Sequence, residues 1–215
     1  MNPSIVFLIV GIGALGAWLF QQNQTAQENS GDILDAPAID PQAQTDQIDN
    51  SQIDPNMQTP QSLKNVSAFL AMISHAEGTD YPNGYRYLFG SGPGHEKLFD
   101  NFAAHPNRSF PFTINGITKN TTAAGKYQIN KPTWDDINHR LIQLPDFSPA
   151  SQDAAAIALL KDCGAYSYII TGDFQGAVDK ASARWASLPG STSGQPQRGF
   201  DSLLAYFQNS GGATA

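Results

Sequence analysis

The chain has 215 residues, 14% of them charged and 40% hydrophobic, with 19 Gly and 14 Pro, which suits one domain of ordinary size plus accessory segments. Its net charge of -7 belongs to the part before Lys64: seven of the 19 acids precede that residue, all 12 Lys and Arg lie from it onward, and the other 12 acids balance them. No basic tract suggests nucleic-acid binding, and a single cysteine, Cys163, excludes a disulfide within the chain.

Ile5 to Phe20 reads "IVFLIVGIGALGAWLF", sixteen residues without a charge. A full membrane span needs about 20 residues, with roughly 17 as a lower limit, and the flanking residues bring this run close. A cleaved signal peptide would show a basic leading region and a small-residue cleavage site. Neither is present, and bulky Trp18, Leu19 and Phe20 close the run. The segment 1–20 is therefore expected to be a retained membrane anchor. The bulk of the chain would then lie outside the cytoplasmic membrane, on the periplasmic side. Residues 21–61 are rich in Gln, Asn, Asp, Ser, Thr and Pro, too poor in apolar surface to offset the entropy of ordering. They read as a flexible acidic tether.

From 62 to 215 the chain reads as one α-rich α+β domain. Ser62 to Ala76 is the first predicted helix, with Ser62 as a possible cap. Turn residues dominate from Tyr81 to Asn120. Asn115-Gly116, between "FPFTI" and "ITK", predicts a hairpin over Phe110 to Lys119, and Glu96 to Ala103 is expected as a short helix. Pro132 to Leu144, Ser148 to Asp162, Ala165 to Ile170, Asp173 to Ala186 and Gly199 to Asn209 follow as helices. Ser148 with Pro149 supplies a cap and first-turn proline. Trp134 and Trp185 are expected in the core, and Cys163 as a buried or half-buried helix residue.

Glu77 breaks a pattern. Val66, Phe69, Leu70, Ile73 and Glu77 follow the i, i+3, i+4, i+7 rhythm of one helical face. A carboxylate thus stands where another apolar side chain is due, and Gly78 then ends the helix. One reading is a frayed end reaching water. The other is a half-buried acid at the wall of a cleft, where burial raises the carboxyl pKa toward the range a general acid needs.

Other chemistry is thin. His75, His95, His105 and His139 lack the spacing of a zinc motif, and no nucleophile elbow or phosphate loop is present. No metal or cofactor is expected. Tyr127 and Gln128, in "TTAAGKYQINKPTWDD", offer a ring, a hydroxyl and an amide suited to a sugar, and equally to a structural role. If the reaction is a two-carboxylate hydrolysis, the second acid could be Asp80, Glu96 or Asp100. Asp135 and Asp136 suit a helix amino terminus instead.

The ordered series "SHAEGTD", "LFDNFAAHP", "TAAGKYQ", "TWDD", "FSPASQDAAA", "GAYSYIITGDFQGAVDKASARWASLPG" and "GQPQ" resembles the phage lambda endolysin family of lysozyme-like, peptidoglycan-cleaving proteins. The resemblance runs from about Val66 to the end. It implies a lysozyme-like fold, Glu77 as the catalytic glutamate, and Gly125, Lys126, Tyr127 and Gln128 along the glycan cleft. It implies cleavage of the β-1,4 bond between N-acetylmuramic acid and N-acetylglucosamine by lytic transglycosylation, leaving a 1,6-anhydro product. Lysozyme-type hydrolysis of the same bond is the alternative, and a non-catalytic peptidoglycan-binding virion module the third reading. Host lysis, virion entry and wall remodelling all accommodate such an activity, with the catalytic domain anchored on the periplasmic side or the chain bound to a membrane-containing virion. The loop "GSGPGHEKLFD" is longer than the family's corresponding piece.

Overall fold

The computed structural model describes residues 59–215. The first described helix, α1, spans Pro60–Glu77. Thr59 rather than Ser62 caps it: the Thr59 side chain accepts from the Ser62 amide at 3.1 Å, and Pro60 fills the first turn, where its missing N–H costs nothing. Val66, Phe69, Leu70 and Ile73 are buried as the periodicity predicts, and so are Ala68, Ala71 and Met72. A helix buried nearly all round is a core helix, and the others gather about it.

Two short strands follow, β1 Phe110–Ile114 and β2 Ile117–Thr121, paired antiparallel from Phe110 opposite Thr121 to Ile114 opposite Ile117. Asn115 and Gly116 both take positive φ, 51° and 75°, as the tight two-residue turn between twisted strands requires. Then come α2 Lys131–Arg140, α3 Pro149–Asp162, α4 Ala165–Thr171, α5 Phe174–Ala181 and α6 Phe200–Asn209. α1 packs on α4 and α6, and α4 also packs on α3 and α5. Phe69 of α1 meets Phe174 and Phe207 edge-on at 6.1 and 6.4 Å. A second aromatic group, Phe99, Phe102, Trp134 and Phe147, joins the loop before the hairpin to α2 and the start of α3.

The expected helix from Glu96 to Ala103 is absent. Leu98 instead forms an antiparallel bridge with Tyr87, the Phe99 amide donates to Arg86 O at 3.0 Å, and Arg86 Nε returns a bond to Phe99 O at 2.9 Å. These long-range partners satisfy backbone groups that a local helix would have paired with itself. The helix expected from Asp173 to Ala186 stops at Ala181, with Asp173 as its cap, and turns carry the chain through Ser187.

Residues 5–20 and most of the tether lie outside the described residues. Among the described residues no helix is long and apolar enough to cross a membrane. The described residues supply no span for the expected anchor. Membrane attachment and a membrane-anchored location are therefore not carried forward; the mostly helical domain with its small hairpin is what stands.

Candidate active site

Glu77 is the last residue of α1. Gly78 follows in the left-handed conformation, φ 78°, with its amide donating to His75 O, while the Thr79 amide reaches back to Ser74 O. This paired 5→2 and 6→1 closure is a Schellman motif, and it favours a residue without a Cβ at Gly78. The helix therefore ends in a defined turn rather than a frayed one. Glu77 is half-buried, and the buried Ser187 hydroxyl donates to its Oε1 at 2.6 Å from 110 residues away.

Ser187 opens a loop that returns to the same helix end. Arg198 N donates to Ser187 O at 2.9 Å, and Arg198 Nε donates to Ala76 O at 3.1 Å. Gln197 holds the loop from inside, bonded to Gly190 N and Ser191 O. Gly194 lies against the hairpin: a Cβ there would be 3.3 Å from Asn115 Nδ2 and 3.6 Å from Ile114 Cγ2. The same loop thus touches Glu77 at its base and the hairpin tip at its crest.

Three residues past Glu77, Asp80 shares a 3.0 Å hydrogen bond with His75 Nδ1 and accepts the Tyr206 hydroxyl at 3.2 Å, while the His75 and Tyr206 rings stack at 4.1 Å. Glu96 accepts from the Tyr87 hydroxyl at 2.6 Å and from Asn83 Nδ2 at 3.1 Å, which holds its carboxyl below the usual range. Asp100 is largely exposed and pairs with Arg108 at 3.5 Å. Of the three possible second acids, only Asp80 adjoins the end of α1.

The segment from Gly125 to Gln128 is a tight turn between Ala124 and Ile129, and all four residues are buried. Gly125, φ 73°, sits so close to Gln152 that a Cβ would come within 2.2 Å of its Oε1. That amide oxygen accepts the Lys126 N–H at 2.8 Å, and its NH2 group donates to Phe147 O and Tyr85 O. Tyr127 has no exposed surface; its hydroxyl donates to Asp153 at 2.6 Å. Gln128 Nε2 donates to Gly125 O at 3.0 Å. Direct sugar contact, as expected for Tyr127 and Gln128, is not what this burial favours, because the Tyr127 hydroxyl and the Gln128 NH2 group both donate within the protein. Lys126 is buried too, its ammonium 4.5 Å from the centre of the Tyr85 ring, and burial brings its pKa down to about 8.

Asp153 of α3 collects this network. Tyr85 donates to both its oxygens, at 2.9 and 3.0 Å, beside the bond from Tyr127. Burial pushes its carboxyl up to about 7, against the opposing pull of the two hydroxyls and Lys126. The signal in the sequence was an acid opening the apolar run "DAAAIALL", the same kind of break that marks Glu77. Ser187 and Arg198 carried no such signal, since nothing near them in the chain points to Glu77. Among the described residues no group of three His, Cys, Asp or Glu could hold a metal ion. Cys163 is half-buried, and burial raises its thiol pKa.

A family model described as Endolysin matches residues 67–214. The endolysin of Escherichia phage lambda is 40% identical over 151 residues, 67% of this chain and 90% of that protein. The endolysin of Escherichia phage P2 is 33% identical over 159 residues, 71% of this chain and 96% of that protein. Among solved structures, bacteriophage lambda lysozyme complexed with a chitohexasaccharide is similar with a TM-score of 0.62 at 35% identity, over 71% of this chain and 97% of that one. A structure of lysozyme from bacteriophage lambda gives 0.60 with the same identity and coverage. A helical domain with one hairpin, and a glutamate closing its central helix, is thus a lysozyme-like domain. The chain belongs to the endolysin family. The relatives' names also correct one expectation: the solved ones are lysozymes, so the transglycosylation expected with a 1,6-anhydro product gives way to the lysozyme-type alternative.

Proposed function

We propose that this protein is a lysozyme-type glycoside hydrolase that cleaves the β-1,4 bond between N-acetylmuramic acid and N-acetylglucosamine in peptidoglycan. The observation that carries the reading is Glu77: a carboxyl on the apolar face of the central helix, half-buried and held by Ser187 in a domain of the endolysin family. The lambda lysozyme bound to a chitohexasaccharide supports a β-1,4-linked amino-sugar chain as the ligand class.

In this reading protonated Glu77 gives its proton to the bridging oxygen as the bond from that oxygen to the anomeric carbon breaks. A water oxygen then bonds to the anomeric carbon and loses its proton to a carboxylate. Asp80 is the candidate for that second role. It adjoins the end of α1, and its two side-chain partners, His75 and Tyr206, hold it in one orientation. The buried turn from Gly125 to Gln128 acts as scaffold, tied to α3 through Gln152 and Asp153.

Digestion of purified peptidoglycan in water enriched in oxygen-18 tests the chemistry. The expected product is a reducing muramic acid end carrying one heavy oxygen, read by mass spectrometry. Ends without solvent oxygen would overturn hydrolysis.

A further inference from the structure

Ser187 is 8% exposed, and little about its position is free. Trp185, Ala186 and Leu188 beside it are buried. Its carbonyl accepts from Arg198 N, and Arg198 Nε is seated on Ala76 O, so the two ends of the 187–198 loop rest together on the last turn of α1. On the other side the Schellman closure at Gly78 fixes the Glu77 backbone. A hydroxyl and a carboxyl group, each anchored by its own backbone, meet at 2.6 Å. That is the length of a charge-assisted O–H···O bond.

We propose that Ser187 is a positioning residue for Glu77, holding its carboxyl in one orientation and setting the pH at which activity is lost on the alkaline side. The proposal rests on the reading of Glu77 as general acid. A hydroxyl that donates to a carboxylate favours the ionised form. A general acid works only while protonated, so activity falls as pH rises through its pKa. Ser187 therefore places the alkaline limb lower than the half-buried site alone would. Charged and titratable groups about this helix end include His75 and Asp80, Tyr206 of α6, Arg198, and Lys126 and Tyr87, which both feel the Asp80 charge. Ser187→Ala removes only the hydroxyl and none of these groups.

The test is a direct titration. The chain has three glutamates, Glu28, Glu77 and Glu96, so carboxyl carbon-13 labelling of glutamate gives three signals, and Glu77→Gln identifies the one in question. In full-length Ser187→Ala the Glu77 midpoint is expected to rise by about one pH unit, as loss of one hydrogen bond to a charged group implies. The alkaline limb of activity on purified peptidoglycan should rise with it, and Ser187→Thr should restore both. Ser187→Gly makes the same comparison should the alanine variant fail to fold. An unchanged midpoint overturns the proposal while leaving the catalytic reading of Glu77 standing. A midpoint that moves while the activity limb does not would overturn both.

Discussion

Tyr127 donates its hydroxyl to Asp153 across 2.6 Å, with both side chains buried. The bond ties the turn at Gly125–Gln128 to α3, and Tyr85 brings the loop after Glu77 to the same carboxylate. Removing it should therefore be a matter of stability and not of ligand affinity. Tyr127→Phe is expected to cost about 1–3 kcal/mol in urea unfolding, the usual penalty for a buried acceptor that loses a donor. Calorimetry with a peptidoglycan oligosaccharide, on a Glu77→Gln background, should give an unchanged affinity. Weakened binding at full stability would return Tyr127 to the cleft.

Asp153 makes stability depend on pH. The folded protein keeps this proton up to about pH 7, whereas the unfolded chain releases it near the ordinary value of 3.8. Between those values the native state binds more protons, so stability falls as pH rises through the window, by at most about 1.4 kcal/mol per pH unit for one proton. Asp153→Asn should flatten that slope. Denaturant unfolding of both proteins at several pH values from 4.5 to about 7 checks it. An equal slope in the two would mean that another group is responsible.

Gly78→Ala should damage activity more than stability. Its φ of 78° strains any residue with a Cβ, but the nearest atom to that Cβ, Arg198 Nη2, is 3.7 Å away, so there is room. The expected destabilisation is about 1 kcal/mol. Lytic activity should fall further than that, because relaxing the turn moves Glu77 away from Ser187. The comparison needs only a thermal melt and a turbidity assay.

Glu77→Gln should abolish lysis and leave the fold intact. The amide oxygen can still accept from Ser187, so the melting temperature should change little. Activity on outer-membrane-permeabilised cells should drop by roughly 10²–10⁴-fold, the usual contribution of a general acid. A variant that keeps more than about a tenth of the activity would remove Glu77 from the chemistry.

Asp80→Asn separates the three possible second acids. If Asp80 activates the water, its loss should lower kcat by roughly 10²-fold or more with KM little changed. Glu96→Gln and Asp100→Asn should stay close to the parent: neither adjoins the end of α1, and Asp100 stands largely in solvent. Release of reducing ends from purified peptidoglycan measures all three.

Local patterns in the sequence determined much of this protein. Period, cap and turn chemistry act over a few residues, so the end of α1 at Gly78, the hairpin turn at Asn115-Gly116, and the Ser148–Pro149 start of α3 were legible without coordinates. So was the anomaly at Glu77, because one charge on an apolar face shows in a single turn of helix.

Tertiary structure alone decided what depends on groups far apart in the chain. Glu96 to Ala103 has a helix-compatible composition, yet its backbone pairs with Arg86 and Tyr87, a choice no local propensity records. Tyr127 and Gln128 carry the chemistry of sugar binding. Only their burial against Asp153, Gly125 and Tyr87 shows that the Tyr127 hydroxyl and the Gln128 NH2 group are already used. Ser187 reaches Glu77 across 110 residues because Arg198 draws its loop back onto α1. A hydrogen bond is specified by position in space, and between residues so distant in sequence only the packed fold sets that position.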